Sequence, residues 1–261
     1  MKGMIDVNVW LSRWPARRLP FDETPDLVAR LRDLKLAQAW VGSFDMLLHR
    51  DIAGVNERLA ADCKTAPDLL IPCGAINPML PDWEEDLRRC IEQHGMRILR
   101  LTPGYHGYDL AHERFRNLAQ LSIERNVLLQ IVVRMEDERT QPPLLHATDV
   151  DLAPLEKILP EFPAAKLQFL NALHSASAQQ RLQRGIPSKI SFDIGTLEGA
   201  AGISRILKTL PPSQLCFGSH FPFFTWESAE LKLRESALPQ PTSEMIGFGN
   251  SKRLFEDVMS C

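Results

Sequence analysis

The sequence predicts an α/β fold, a single closed barrel of eight parallel strands surrounded by helices. Eight short apolar segments recur along the 261 residues, each followed by a helical or mixed segment, an alternation typical of parallel sheets with crossover helices. The length suits one barrel, which takes roughly 250 residues. No glycine-rich phosphate loop follows the first segment, IDVNVWLSRWP, although an open doubly wound sheet usually has one there. The predicted strands span residues 4–9, 37–41, 69–75, 97–101, 127–133, 166–170, 189–193 and 214–217.

Three of the intervening segments have the apolar spacing of a helix that packs against a sheet. Residues 24–34 place leucines three and four positions apart on one face, with Thr24 as the expected cap and Pro25 in the first turn. The same spacing recurs in residues 81–94 and 113–125. We expect these apolar stripes to cover the barrel rather than to bind a cofactor.

Composition and charge exclude several classes of partner. The net charge is −3 with acids and bases interspersed, which gives neither the basic stripe of a nucleic-acid binder nor the patch of a membrane-surface protein. No window approaches the roughly 20 apolar residues of a membrane span, and Asp6 and Asn8 interrupt any signal-peptide core. The five cysteines are scattered without a CxxC pair, as reduced thiols are. We expect one cytoplasmic domain over residues 1–261 that binds a small molecule.

The stretch QLCFGSHFPF, residues 214–223, is the most informative part of the chain. An apolar run ends abruptly in Gly-Ser-His and is stopped by Pro222, as in a buried strand that delivers polar side chains to the loop at its end. His220 is therefore the first candidate for chemistry. The alternative is that its ring only hydrogen-bonds a neighbouring loop.

The residues FGSHFP resemble the last-strand signature of the amidohydrolase-related family of TIM-barrel hydrolases and decarboxylases, usually FGSDYP or FGTDFP. The segment MIDVNVW, residues 4–10, resembles the first strand of that family, and GFGNSKRLF, residues 247–255, resembles its closing GGNARRLF segment. The resemblance covers nearly the whole chain. It implies an amidohydrolase-like (β/α)8 TIM barrel and, as activity, a metal-dependent hydrolase or a non-oxidative carbon–carbon lyase.

The resemblance also implies a metal site, from which this sequence departs at every position. A His-x-His pair on strand one is replaced by Asn8 and Trp10, histidines on strands five and six by Val132 and Asn171, and the strand-eight aspartate by His220. A neutral amide binds zinc poorly, and valine and tryptophan do not bind it. The usual site therefore cannot form, and any zinc would need a rearranged one. The side chains of ligand type that could converge on it are Asp6, His174, Asp193 and His220.

Polar residues lie at the ends of the predicted strands, and in a barrel the carboxyl ends of all strands share one face. So many buried polar groups need either partners or a wet cavity, and a ligand site explains the set. For Ser43, Asp45 and Asn77 a hydrogen bond that caps the loop is the alternative. The expected substrate-binding residues are Asp6, Asn8, Arg100, His106, Arg134, Asn171 and His174.

Chemistry without a metal is expected to depend on His220 as general acid or base, with Asp193 or Glu136 as the orienting or proton-exchanging carboxylate. Arg100 and Arg134, which follow strands four and five, offer the planar donors that match a carboxylate. They predict a small organic acid as substrate. The alternative is that Glu136, Asp137, Glu138 and Arg139 of the loop after strand five pair with these arginines on a solvated loop.

Two functions from different classes stay open. One is a hydrolase or lyase that acts on a small carboxylated compound, and the other is a catalytically silent barrel that binds a metabolite or a protein partner. The polar replacements at the former ligand positions favour the first, whereas Trp10 and Val132 favour the second. The aromatic residues of the segment 221–226 are expected to form a pocket wall, a contact in a homo-oligomer, or ordinary packing against the barrel.

Overall fold

Eight parallel strands form one sheet in chain order in the computed structural model, which describes residues 3–174 and 189–260. Each strand pairs in parallel with the next. Every predicted strand is present, with ends within two residues of those expected. The strands are β1 (Ile5–Leu11), β2 (Gln38–Ser43), β3 (Leu70–Ala75), β4 (Ile98–Leu101), β5 (Leu128–Val132), β6 (Lys166–Leu170), β7 (Ile190–Asp193) and β8 (Leu215–Cys216).

The sheet closes on itself through the residues that follow β8. The Val7 N–H donates to the Phe217 carbonyl at 3.0 Å, and the Trp10 N–H donates to the Phe221 carbonyl at 2.9 Å. Val9 pairs in parallel with Phe221. The prediction of a TIM barrel is confirmed, and the segment from Phe217 to Phe221 is part of the barrel wall.

The helices lie between the strands and cover the barrel. Within the described residues they are α1 (Thr24–Asp33), α2 (Ile52–Cys63), α3 (Trp83–Glu92), α4 (Pro103–His106), α5 (Glu113–Glu124), α6 (Leu155–Ile158), α7 (Gly202–Ile206), α8 (Trp226–Glu235), α9 (Gln240–Glu244) and α10 (Asn250–Met259), with a π-helical segment Met245–Gly249 between the last two. None of these helices is long and apolar enough to cross a membrane.

The start of α1 differs from the prediction in one detail. The cap residue is Glu23, whose backbone is extended, and its side chain makes no capping hydrogen bond. Thr24 is already helical, so it cannot cap the helix. Pro25 lies in the first turn as expected, where its missing N–H costs no hydrogen bond.

A buried arginine bridges the inside of the barrel. Arg100 on β4 donates from Nε to Gln130 Oε1 at 2.8 Å, from Nη1 to the Val9 carbonyl at 2.8 Å, and from Nη2 to the Val7 carbonyl at 3.0 Å. A Cβ atom on Gly42 would lie 2.8 Å from the Arg100 side chain. Glycine at this position of β2 therefore makes room for the guanidinium group.

Candidate functional site at the carboxyl ends of the strands

Six polar residues, from β1 and from the carboxyl ends of β6, β7 and β8, contact one another, and we call them the strand-end network. They are fully buried, each with a relative exposure of 0%. Asp6 and Asn8 project from β1, and Asp193 is the last residue of β7. The loops after β6 and β8 supply the other three, so that distant parts of the sequence converge. The members are Asp6, Asn8, Asn171, Asp193, Ser219 and His220.

The Asn8 side chain is the centre of this network. Its Nδ2 donates to Asp193 Oδ2 at 2.7 Å and to Asn171 Oδ1 at 2.9 Å, while its Oδ1 accepts from Trp10 Nε1 at 2.9 Å. The amide thus uses both of its N–H donors and joins β1 to the ends of β6 and β7. Gly218 lets the network close, because a Cβ there would lie 2.7 Å from the Asp193 Cβ.

The two carboxylates of the network are held by direct hydrogen bonds. Asp6 Oδ1 accepts from the backbone N–H groups of Asn8 and Ser219 at 3.0 and 3.1 Å, and Oδ2 lies 2.5 Å from Ser219 Oγ. Asp193 Oδ1 accepts from the Asn171 N–H at 2.7 Å. Burial raises the pKa of Asp6 to about 7 and that of Asp193 to about 6, against these hydrogen bonds.

His220 is a neutral, fully bonded side chain. Its Nε2 donates to the Met135 carbonyl at 2.8 Å, which leaves Nδ1 to accept from Asn171 Nδ2 at 3.2 Å. Burial lowers the pKa of His220 to about 3, and the nearby Arg100 charge adds to the effect. His220 has a backbone φ of 61° and Asn171 one of 57°, which turns both side chains inward at the strand ends. This contact with the loop after β5 is the alternative that the sequence left open.

The strand-end network does not fit a divalent metal. The oxygens of Asp6 and Asp193 already accept hydrogen bonds, and both ring nitrogens of His220 are engaged. His174, the fourth expected ligand, lies instead on the loop acid Asp149, with 3.2 Å between Nε2 and Oδ2. Among residues 3–174 and 189–260, no three His, Cys, Asp or Glu side chains are grouped to hold a metal. The rearranged zinc site is therefore not formed.

Two of the predicted substrate-binding residues direct their hydrogen-bond donors to other parts of the protein. Arg100 is fully buried inside the barrel, as described above, and its partners are backbone carbonyls and Gln130. His106 donates from Nε2 to the Met46 carbonyl at 2.8 Å, and burial lowers its pKa. Both side chains tie strands and loops together, so neither presents a donor to a ligand at the surface.

Arg134 and His174 share one carboxylate in the loop region. Arg134 Nε donates to Asp149 Oδ1 at 2.7 Å, and Arg134 Nη2 donates to Oδ2 at 2.6 Å. Burial would raise the pKa of Asp149, but the bonds from His174 and Arg134 outweigh it and lower that pKa. This ion-pair cluster fastens the long loop after β5 to the start of the loop after β6. The alternative from the sequence was that the acids at positions 136–138 pair with the arginines; the partner of Arg134 is Asp149 instead.

Glu136 differs from the other predicted residues because half of its carboxylate has no partner. Its Oε2 lies 3.5 Å from Arg17 Nη1, whereas its buried Oε1 accepts no hydrogen bond within the described part of the chain. Burial raises the pKa of Glu136, and Arg17 opposes the shift. A buried carboxylate with a raised pKa and a free oxygen suits proton transfer.

A cleft of about 480 Å³ opens beside Glu136 at the carboxyl ends of the strands. Its described walls come from the loops after β5, β6 and β7 and from α8. They include Lys232, which the sequence analysis missed. Lys232 lies three residues after Ala229 and one before Leu233, and both of these are buried on one side of α8. Residues three apart on a helix are neighbours, so this spacing could have indicated a part-buried lysine. The polar and charged lining residues are Arg134, Glu136, Asp137, His174, Thr196, Glu198, Ser228, Lys232 and Glu235.

The aromatic residues after β8 form a wall on the same face. The Phe223 and Phe224 rings lie 5.0 and 5.2 Å from the His220 ring, and Phe223 also packs edge-on against Trp14 at 5.1 Å. Arg17 Cζ lies 5.0 Å from the Phe223 ring centroid. Of the three roles considered for these aromatic residues, these contacts correspond to packing against the barrel.

The fold and this face define a TIM barrel whose strand-end polar residues bond to one another. No protein-family model matches the sequence, and no curated protein matches it. The structure is similar to several solved structures. A 2,6-dihydroxybenzoate decarboxylase from Rhizobium has 12% identity and a TM-score of 0.75, with 98% of this chain and 99% of that chain covered.

Two further structures agree. A dihydroxybenzoic acid decarboxylase from Polaromonas sp. JS666, with bound manganese and the inhibitor 2-nitroresorcinol, has 12% identity and a TM-score of 0.74 over 98% of this chain and 97% of that one. An amidohydrolase II has 14% identity and a TM-score of 0.71 over 97% and 99%. At such identities the likeness establishes the fold. The amidohydrolase-like barrel predicted from FGSHFP is confirmed at that level.

Proposed function

We propose that the protein is an amidohydrolase-like hydrolase or carbon–carbon lyase that acts on a small carboxylated compound without the metal of that family. The observation that supports this most directly is Glu136, a buried carboxylate at the edge of a cleft, one of whose oxygens has no hydrogen-bond partner among the described residues. In TIM barrels the loops that follow the strands bind the substrate. The decarboxylases with the same fold act on dihydroxybenzoates, which supports a carboxylated substrate.

Glu136 is the proposed proton-transfer residue. Burial raises its pKa, so a larger fraction is protonated near neutral pH than for an exposed glutamate. In a decarboxylation the C–C bond to the carboxylate breaks, CO2 leaves, and the electron pair left on carbon takes the proton from Glu136. In a hydrolysis the same proton goes to the leaving group, and the water that adds to the carbonyl carbon gives a proton back to Glu136. Arg17, at 3.5 Å from Oε2, stabilises the glutamate anion once the proton has left.

His220 and Asp193 have a different part in this proposal from the one the sequence suggested. Their polar atoms bond to Asn8, Asn171 and Met135 within the buried network. They hold the strand ends in place, and Glu136 is on the loop whose Met135 carbonyl His220 binds. His220 and Asp193 therefore act as positioning residues.

A catalytically silent barrel that binds a metabolite is the second candidate. The saturation of the strand-end network favours it, because each polar side chain at the positions that match the family's ligands has a hydrogen-bond partner inside the protein. The cleft then serves for binding alone. In this case Glu136 accepts a hydrogen bond from the ligand and transfers no proton.

Turnover in chelator-treated protein separates the two candidates. A panel of small carboxylates is screened for CO2 release or hydrolysis with wild type, Glu136→Gln, and Glu138→Gln as the matched control on an exposed position of the same loop. The enzyme hypothesis predicts turnover that survives chelation, falls at least about 100-fold in Glu136→Gln, and persists in Glu138→Gln. Saturable binding with no turnover would establish the silent barrel instead.

A further inference from the structure

The basic residues around the cleft are already paired, with one exception in the described part of the chain. Arg134 is bidentate on Asp149, His174 contacts the same carboxylate, and Arg139 pairs with Asp137. The exception is Lys232, which has no carboxylate oxygen within ion-pair distance among residues 3–174 and 189–260. An unpaired cation in a part-buried position is costly unless an anion approaches it.

Lys232 is held in place by the protein backbone. Its Nζ donates to the Gly195 carbonyl at 2.5 Å, and the Ile194 carbonyl lies 3.5 Å away. An ammonium group has three N–H donors, so at least one is left for a ligand in the cleft that Lys232 lines. Burial lowers the pKa of Lys232, while Asp193, Glu198 and Glu235 oppose the shift without contact.

The remaining charges that the described walls of the cleft carry are negative. Glu198 and Glu235 line it from exposed positions, and each acts on Lys232 electrostatically. A ligand with one carboxylate gains from Lys232 alone. A second carboxylate on the same ligand meets no further unpaired cation in the described walls and lies among like charges, which repel it.

We propose that Lys232 binds the carboxylate of the ligand and that Glu198 and Glu235 restrict the cleft to monocarboxylates. This inference rests on the proposed function, since it concerns the cleft beside Glu136, and it narrows the substrate class. Lys232 thereby takes the role that the sequence assigned to Arg100 and Arg134.

The test compares matched acids by calorimetry on the intact protein. Benzoate is compared with phthalate, and butyrate with succinate, for wild type, Lys232→Met, Lys232→Arg and the double variant Glu198→Gln/Glu235→Gln. Lys252→Met, on an exposed position of α10, is the control. We expect a monocarboxylate to bind at least tenfold more tightly than its dicarboxylate. We expect Lys232→Met to lose at least tenfold in affinity for it, Lys232→Arg to retain binding, and the glutamine variant to admit the dicarboxylate.

The outcomes also distinguish this inference from the proposed function. If Lys232→Met binds monocarboxylates as wild type does, the assignment of Lys232 is wrong. If wild type binds dicarboxylates equally well, the restriction by Glu198 and Glu235 is wrong. In both cases carboxylate binding still stands. If no carboxylate of the panel binds or is turned over by wild type up to about 1 mM, a weak affinity for a small ligand, both proposals fail. Circular dichroism and the midpoint of thermal unfolding verify that each variant is folded.

Discussion

At the scale of single residues, the strand-end network shows how one amide side chain joins three strands of the barrel. Asn8 connects the ends of β6 and β7 to β1 through two side-chain donors. A metal needs lone pairs directed at one point, whereas Asn8 needs acceptors directed at two N–H groups. The same strand geometry can therefore serve either purpose, and the residue type decides which.

Asp6 and Asp193 should respond differently to loss of their charge. Ser219 Oγ both faces Asp6 Oδ2 and accepts from the Phe221 N–H at 3.1 Å, so it can take a hydrogen bond from a protonated Asp6 or from an asparagine. Asp193 instead meets N–H donors on both oxygens. We expect Asp193→Asn to lower the free energy of unfolding by about 1–3 kcal/mol at pH 7, because an amide N–H2 would face a donor. Asp6→Asn is the matched control.

Asp6 also makes the stability of the protein depend on pH, and the sign of this dependence follows from its raised pKa. Folded Asp6 has a pKa of about 7, above the ordinary 3.8, so the folded state binds its proton more tightly. Its contribution is fully present below about pH 4 and is lost as the pH rises towards 7. Urea unfolding at pH 5 and pH 7.5 should show a smaller loss of stability in Asp6→Asn than in wild type. Equal losses would contradict the assignment.

At the scale of elements, the strands could be predicted because each buried run is short and ends at a turn residue. The chemistry at their ends could be predicted only in part. The convergence of Asn8, Asn171, Asp193 and His220 follows from parallel strands in a barrel. Whether such residues face water or each other depends on distances of a few tenths of an ångström, which no periodicity encodes. Lys232 could not be predicted from the strand ends because it belongs to a helix.

The loop after β5 is the element whose attachment can be tested directly. Asp149 fastens it through Arg134 and His174, while Leu144 at its tip is 96% exposed. Asp149→Asn removes the charge that both partners bind, so we expect faster cleavage by chymotrypsin at the loop and a loss of about 1–3 kcal/mol in unfolding free energy. Asp257→Asn, an equal change at an exposed site on α10, should be cleaved by chymotrypsin at the wild-type rate. Equal rates in both variants would show that Asp149 does not hold the loop.

At the scale of the whole molecule, the interior of the barrel is held together by hydrogen bonds between its own polar side chains and backbone. Arg100 was predicted at the mouth because it lies near the end of β4, yet its side chain points to the axis and reaches the carbonyls of β1. Sequence alternation shows which side of a strand a residue occupies, but not how far a long side chain extends along the barrel. The fold was thus easier to predict than the direction of its polar side chains.

The hydrogen bonds within the strand-end network predict that divalent metal does not stabilise the protein. A ligand that binds only the folded state adds about 2.7 kcal/mol at 100 times its Kd, which raises the unfolding midpoint by several degrees in a chain of this size. Because the oxygens and nitrogens at the strand ends are already bonded, we expect chelator to leave the midpoint unchanged and added zinc or manganese not to raise it. A metal-dependent rise of several degrees, lost in Asp193→Ala and His220→Ala, would show that the network opens to bind an ion. The proposal of metal-independent chemistry would then fail.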